Sequence, residues 1–244
     1  MRELLQGLQQ ELAGLVLPSS CAGCGLPGVR GDLCARCGGA VAGARPSRVR
    51  PWPVPHGLPR VYAAVPYVGG ARAVLLAHKE RGALRLARPL GGLLAAAVRE
   101  ARVHVRRTAG KGEGEEQNGP LTLVPVPSAR LAVAGRGHDP VRRVALAAAR
   151  ELRREGLPTR VLAVLRQRRT VADQAGLTAR QRAVNVSGAL ELVPRSGKLL
   201  ARGESLLVDD VMTTGASLAE AARALAEGPW KVNAAAVVAF RPKT

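Results

Sequence analysis

The segment from Leu206 to Ser217, LLVDDVMTTGAS, constrains the fold more than any other. An apolar strand pattern runs into two acids, a turn with hydroxyls and a glycine follows, and a helix pattern starts at Ser217. Thr213, Thr214 and Ser217 supply hydroxyl donors. Gly215 lets the backbone curl so that successive N–H groups face one anion. The next helix adds the partial positive charge of its N-terminus. Such a turn suits a monophosphate, and it is not a P-loop, since no G-K-[ST] follows. Asp209 and Asp210 would repel a phosphate unless they met something else. Sugar hydroxyls, or the waters of a Mg2+ ion, would account for them. The competing reading is an ordinary strand-to-helix turn with Asp and Thr as caps.

Strand and helix patterns alternate around that segment. Strands are expected at Val61–Tyr67, Leu121–Val126, Val161–Leu165, Gly188–Val193, Ser205–Asp210 and Val232–Phe240. Helices are expected at Ala71–Lys79, Leu84–Val105, Val141–Glu155 and Ser217–Ala226. This order predicts an α/β fold with a mostly parallel sheet covered by helices on both faces. In such folds ligands bind beyond the carboxyl ends of the strands. The 244 residues suffice for one domain of this kind plus a small module. Aromatics are only 2%, so Ala, Val and Leu must build the core.

The cysteines, Cys21, Cys24, Cys34 and Cys37, read C-x2-C-x9-C-x2-C. Each C-x2-C pair can place two thiolates on one ion, and two pairs complete a tetrahedral, structural Zn2+ site. A redox pair or disulfides are the alternatives, and a cytoplasmic chain disfavours structural disulfides. The boundaries that follow are an amphipathic helix over residues 1–17, a four-cysteine module over 18–43, a Pro/Arg-rich extended linker over 44–59 and the main domain from 60 to 244. Within that domain, 108–120 reads as a polar, glycine-rich mobile loop.

No apolar run reaches the roughly 18–20 residues of a membrane helix, so no membrane insertion is expected. Glu3 and Glu11 interrupt any signal-peptide pattern, which leaves a cytoplasmic protein as the expectation. The net charge is +19, from 37 Lys and Arg against 18 Asp and Glu. That excess suits anionic partners; an arginine-heavy composition from a GC-rich genome explains it equally. No Ser-His-Asp or Cys-His nucleophile set is suggested by the scattered His56, His78, His104 and His138.

The run V-D-D-V-x-T-T-G-x-S resembles the phosphoribosyl-pyrophosphate (PRPP) signature of type I phosphoribosyltransferases. Further pieces in the same order narrow the resemblance to the ComF (GntX-like, competence-type) family. They are the four-cysteine module; Tyr67 to His78-Lys79-Glu80-Arg81-Gly82; Val124-Pro125-Val126-Pro127 with Arg136-Gly137; Arg169-Thr170 through Gln174 to Arg182 and Asn185-Val186; and the acidic turn. One departure is Arg136-Gly137-His138-Asp139-Pro140, where many members read Arg-Gly-Phe-Asn-Gln.

The resemblance implies a Mg2+-dependent transfer of ribose 5-phosphate from PRPP to a nucleophilic acceptor that the sequence does not specify. It implies that Asp209 and Asp210 contact the ribose hydroxyls, and that Val211, Met212, Thr213, Thr214, Gly215, Ala216 and Ser217 hold the 5′-phosphate. Pro127 and Ser128 would cradle pyrophosphate, with Arg130, Arg136 and Lys79 as charge partners; a Pro-stiffened surface loop and a solvated lysine are the plainer readings. Residues 166–182, with Arg169 and Arg182, would form a flexible catalytic hood that closes over PRPP. A loop that contacts nucleic acid is the competing view of that segment. The family is also linked to DNA uptake, so a non-catalytic, PRPP-sensing protein that binds single-stranded DNA is the second function expected. The scarcity of aromatic stacking platforms weighs against it.

Overall fold

The computed structural model describes residues 20–29, 32–108, 119–129, 133–135, 137–171, 178–194, 196, 203–228, 232 and 234–242. The expected helix before residue 18, most of the 108–120 loop, Arg130, Arg136 and Gln174 lie outside the described residues.

The chain runs α1 (Ala35–Ala42), β1 (Ser47–Val49), β2 (Arg60–Pro66), α2 (Gly69–Glu80), a 3-10 turn (Leu84–Leu86), α3 (Ala87–Thr108) and β3 (Leu121–Pro125). It continues with α4 (Pro140–Arg154), β4 (Thr159–Val161), β5 (Leu165–Gln167), α5 (Ala179–Val186), β6 (Leu190–Leu192), β7 (Ser205–Met212), α6 (Ala216–Ala226) and β8 (Ala234–Phe240). Six strands form one sheet in the order β1-β2-β8-β7-β3-β4. All neighbours are parallel except β1, which pairs antiparallel with β2. The stretch read as a linker therefore contains an edge strand. Three residues are too short for periodicity to reveal, and pairing with β2 makes them a strand.

Period-two alternation sorts the strand residues onto two faces. Tyr62, Ala64, Leu123, Leu206, Val208, Ala236 and Val238 pack in one cluster with residues of α2, α3 and α4. Val61, Ala63, Val124, Leu207, Ala235 and Val237 pack in a second cluster with Leu218, Ala221, Ala224 and Leu225 of α6. Both faces of the sheet are thus buried, which is why its strands are nearly continuous apolar runs. The cysteines join the first cluster, so the four-cysteine segment packs against the main core.

β3 leads through α4 to β4 on one side of the sheet, while the neighbouring β7 leads through α6 to β8 on the other. Because α4 and α6 cover opposite faces, the two connections part at the carboxyl ends of β3 and β7. This is the crevice where open α/β sheets bind ligands.

The expected strand at Val161–Leu165 divides into β4 and β5, and β5 pairs antiparallel with β6 as a separate ribbon. The hood segment, expected to be a flexible flap, begins in β5 and ends in α5, and residues 172–177 between them lie outside the described residues. Thr178 and Gln181 form a capping box that starts α5. The buried Glu220 of α6 accepts from Leu190 N–H at 3.0 Å, and Arg223 donates to Leu190 C=O at 3.0 Å. Burial opposes the Glu220 charge, but the Arg223 guanidinium and backbone N–H groups outweigh it and hold the carboxyl below its ordinary value. A depressed folded-state pKa contributes stability above the unfolded value, about 4.3, that is lost as pH falls through the folded one. Glu220→Gln is therefore expected to cost about 1–3 kcal/mol at neutral pH. The gap from wild type should narrow on acidification, as chemical denaturation at several pH values would measure.

Candidate functional site

β7 ends at the crevice with Asp209 half-buried and Asp210 buried. The two carboxylates accept from the next backbone N–H: Asp209 Oδ1 from Asp210 N at 2.8 Å, and Asp210 Oδ1 from Val211 N at 2.7 Å. Lys79 Nζ, at the end of α2, donates to Asp210 Oδ2 at 2.8 Å. Gly82 (φ 66°) terminates α2 behind it, with Ala83 N–H returning to Ala77 C=O at 3.1 Å. Burial and the adjacent Asp210 charge push the Asp209 carboxyl well above the ordinary carboxylate range. Burial opposes ionisation of Asp210 too, but the Lys79 ammonium and the Val211 N–H outweigh it and keep it below the ordinary value. One acid is thus secured as a carboxylate and the other is held in an unfavourable place for its charge. Such a divergence within a pair is a mark of a working site.

The turn itself is Thr213-Thr214-Gly215. Gly215 has φ 77° and caps α6 without a side chain. A Cβ there would stand 3.0 Å from Leu58 Cδ2 and 3.4 Å from Pro51 Cγ, so both conformation and packing demand glycine. Thr213, Thr214 and Ser217 are half-buried around it, while Met212 and Ala216 are buried beneath. Among the described residues, the N–H groups of Thr213, Thr214 and Gly215 have no hydrogen-bond acceptor. They open at a helix N-terminus, an arrangement that attracts anions.

Other expected residues converge unequally. Arg182 of α5 donates from Nη1 to Thr213 Oγ1 at 2.8 Å, so the hood touches the turn. Its Nε is buried with no partner among the described residues. Arg169 spends its Nη2 on the carbonyls of Asn185 (3.0 Å) and Ser187 (2.7 Å). That makes it a brace for the end of α5, which carries Arg182. Pro127 and Ser128 come just after β3, where Val126 N–H, one residue past the strand, still bonds Val208 C=O at 2.9 Å, and so they leave the sheet beside the acids. Ser128 Oγ donates to Asp139 Oδ1 at 3.1 Å. Asp139 also accepts from Arg142 N–H as the N-cap of α4. Sequence reasoning missed Asp139, Leu58 and Pro51. Asp139 followed by Pro140 carried a capping signal, whereas nothing local marks Leu58 or Pro51 as partners of Gly215.

The cysteine cluster is a separate candidate metal centre. One ligand atom from each of Cys21, Cys24, Cys34 and Cys37 lies within 4.8 Å of the others. Cys24 Sγ and Cys34 Sγ are 3.7 Å apart. Zn–S bonds of about 2.3 Å in a tetrahedron require S···S distances near 3.8 Å, so the set fits. Backbone N–H groups of Cys24 and Cys34 point at Cys21 Sγ at 3.5 and 3.3 Å, and Cys37 N–H points at Cys34 Sγ at 3.5 Å. Burial opposes the Cys21 thiolate, but the N–H donors outweigh it and bring the thiol down to about 6. Burial and the other thiols push Cys37 up to about 12. Four thiolates could share this space only around a cation. Arg81 Nη2 donates to Gly23 C=O at 2.6 Å, tying the cluster to the helix that carries Lys79.

Among the described residues no helix is long and apolar enough to cross a membrane. No protein-family model matches the chain, and a search of curated proteins finds none similar to it.

Proposed function

We propose that this protein is a phosphoribosyltransferase of the ComF kind, binding PRPP with Mg2+ and passing ribose 5-phosphate to a nucleophilic acceptor. The observation that carries this reading is the junction of β7 and α6. An acidic pair with divergent proton affinities adjoins a hydroxyl-lined anion turn, at the point where the sheet's connections part.

In this reading the free N–H groups and the Thr213 and Thr214 hydroxyls take the 5′-phosphate, and the Asp209 and Asp210 carboxylates accept from the ribose 2′- and 3′-hydroxyls. Lys79 offsets the acids' charge, which would otherwise repel the phosphates. Mg2+, when bound, neutralises charge on pyrophosphate. The C1–O bond to pyrophosphate breaks and the leaving group takes the electron pair. The acceptor's lone pair forms the new bond to C1, and its proton passes to solvent. The ribosyl centre passes through an oxocarbenium-like state, as in glycoside chemistry. Arg182, reaching from the hood to Thr213, brings positive charge over the site and helps exclude water.

Calorimetric titration with PRPP and Mg2+ tests the reading. One PRPP per chain is expected, and Thr214→Val should weaken it about tenfold or more, the worth of one hydrogen bond to a charged group. Equal affinity in that variant would remove the turn from the site, and absence of any heat in the wild type would end the proposal.

A further inference from the structure

A cleft of about 550 Å3 opens between the start of α3 and the outward face of α4. Arg85 and Arg88 line one wall, and Arg142, Arg143, Arg150 and Arg154 line the other. The helices cross so closely that a Cβ on Gly91 would stand 2.5 Å from Ala147 Cβ, and Ala147 belongs to the lining. That contact brings Arg85 of the 3-10 turn and Arg88 of α3 to the same concavity as the arginines of α4. On α4 the arginines occupy exposed positions, while Val141, Val144, Ala145, Ala148 and Leu152 are buried.

Acids do little to neutralise this charge. Asp139 is occupied by the α4 N-terminus and Ser128, and Glu151 pairs with Arg154 at 3.1 Å. Arg85 has only a loose contact with Asp32, at 3.8 Å. Arg88, Arg142, Arg143 and Arg150 have no acidic partner among the described residues. Guanidinium forks match phosphate oxygens in pairs, and the cleft's size falls in the range of small-molecule sites. Leu84 and Leu146, both exposed, add apolar surface to its lining.

We infer that this cleft is a second anion site, separate from the β7–α6 turn, for a compact ligand carrying several phosphoryl groups. Inorganic condensed phosphate and a nucleoside polyphosphate share that chemistry. The apolar leucines would give a nucleoside something to rest on, and the arginines serve either source.

Calorimetry with inorganic triphosphate, and in parallel with ATP, tests the inference. Both should bind at physiological ionic strength, with tighter ATP binding identifying the nucleoside form and equal affinity the inorganic one. The variant Arg88→Gln/Arg143→Gln/Arg150→Gln should weaken triphosphate about tenfold or more, with an unchanged melting temperature because all three side chains are exposed. A charge-matched variant, Arg48→Gln/Arg72→Gln/Arg107→Gln, should stay within about twofold of wild type. Equal weakening in the two triple variants would mean diffuse attraction by a basic surface and overturn the site. Loss of triphosphate binding in Thr214→Val, with full binding in the cleft variant, would assign the ligand to the turn and overturn it equally. So would a cleft that takes single-stranded oligonucleotide but no triphosphate.

Discussion

Asp209→Asn is expected to abolish measurable PRPP binding while raising the melting temperature of the ligand-free protein. The amide keeps an oxygen for the Asp210 N–H but loses the charge that would accept from sugar hydroxyls. Two charge-assisted hydrogen bonds, at about 1.5–3 kcal/mol each, correspond to a loss of roughly two orders of magnitude or more in affinity. The stability change has the opposite sign. The Asp209 carboxyl is pushed above its ordinary value by burial and by Asp210, so its ionised form is disfavoured in the fold. For a raised folded-state pKa, the favourable contribution is present below the unfolded value, about 3.9, and is lost as pH rises through the folded one. At neutral pH the carboxylate therefore costs stability that an amide does not. A gain of about 1 kcal/mol, or roughly 2–4 °C, is the expected scale for relieving such a site.

Thermal melts at pH 8 and near pH 4 distinguish this from a generic packing effect, because the advantage of Asn should shrink as pH falls. Asp210→Asn should behave oppositely. Its carboxyl is held low by Lys79, so its contribution exists above the unfolded value and is lost as pH falls through the folded one. The amide there leaves the Lys79 ammonium without its charge partner Asp210 and should lower the melting temperature at pH 7. An Asp209→Asn protein that melts lower and binds PRPP normally would remove the acidic pair from the proposed chemistry.

Loss of the thiolate cluster is the second large effect. Cys37 is fully buried in the main core cluster, and a Cβ on Gly23 would already lie 3.0 Å from its sulfur. Cys37→Ser should abolish zinc binding and unfold the segment around residues 20–42. Structural zinc contributes on the order of 10 kcal/mol in small zinc modules, far more than this segment's few apolar side chains can supply. The damage should spread. Arg81 bonds Gly23, and Arg81 stands two residues beyond Lys79, so chelation is expected to weaken PRPP binding as well as to lower the melting temperature. Metal analysis should find about one zinc per chain in the untreated protein. A protein with almost no metal and an unchanged melt after chelation would refute the four-thiolate site.

The strand, turn and helix around Asp209 were legible because every signal there is local. Apolar residues continue to Val208, two acids interrupt them, and Gly215 stands where a left-handed backbone is needed. The cysteine pairs were legible for the same reason, since two residues between thiols suffice to bring both to one ion. The frame beside the hood was not legible: the Glu220 and Arg223 side chains, 30 and 33 residues beyond Leu190, hold the β5–β6 ribbon by hydrogen bonds to the Leu190 backbone that no periodicity announces.

The sequence by itself determined an alternating α/β chain, a thiol cluster and a hydroxyl-bearing, glycine-hinged turn preceded by two acids, because residue spacing along a strand or turn dictates which groups are neighbours. Only the tertiary structure decided that Lys79 would neutralise Asp210 across 131 residues, that Arg182 would reach Thr213, and that Ser47–Val49 would become a sheet edge. It also decided that arginines of α3 and α4 would meet around one cleft. Those pairings depend on which faces of the sheet the helices cover and how closely they cross. Such choices are made by the burial of the whole core and cannot be read from any one segment.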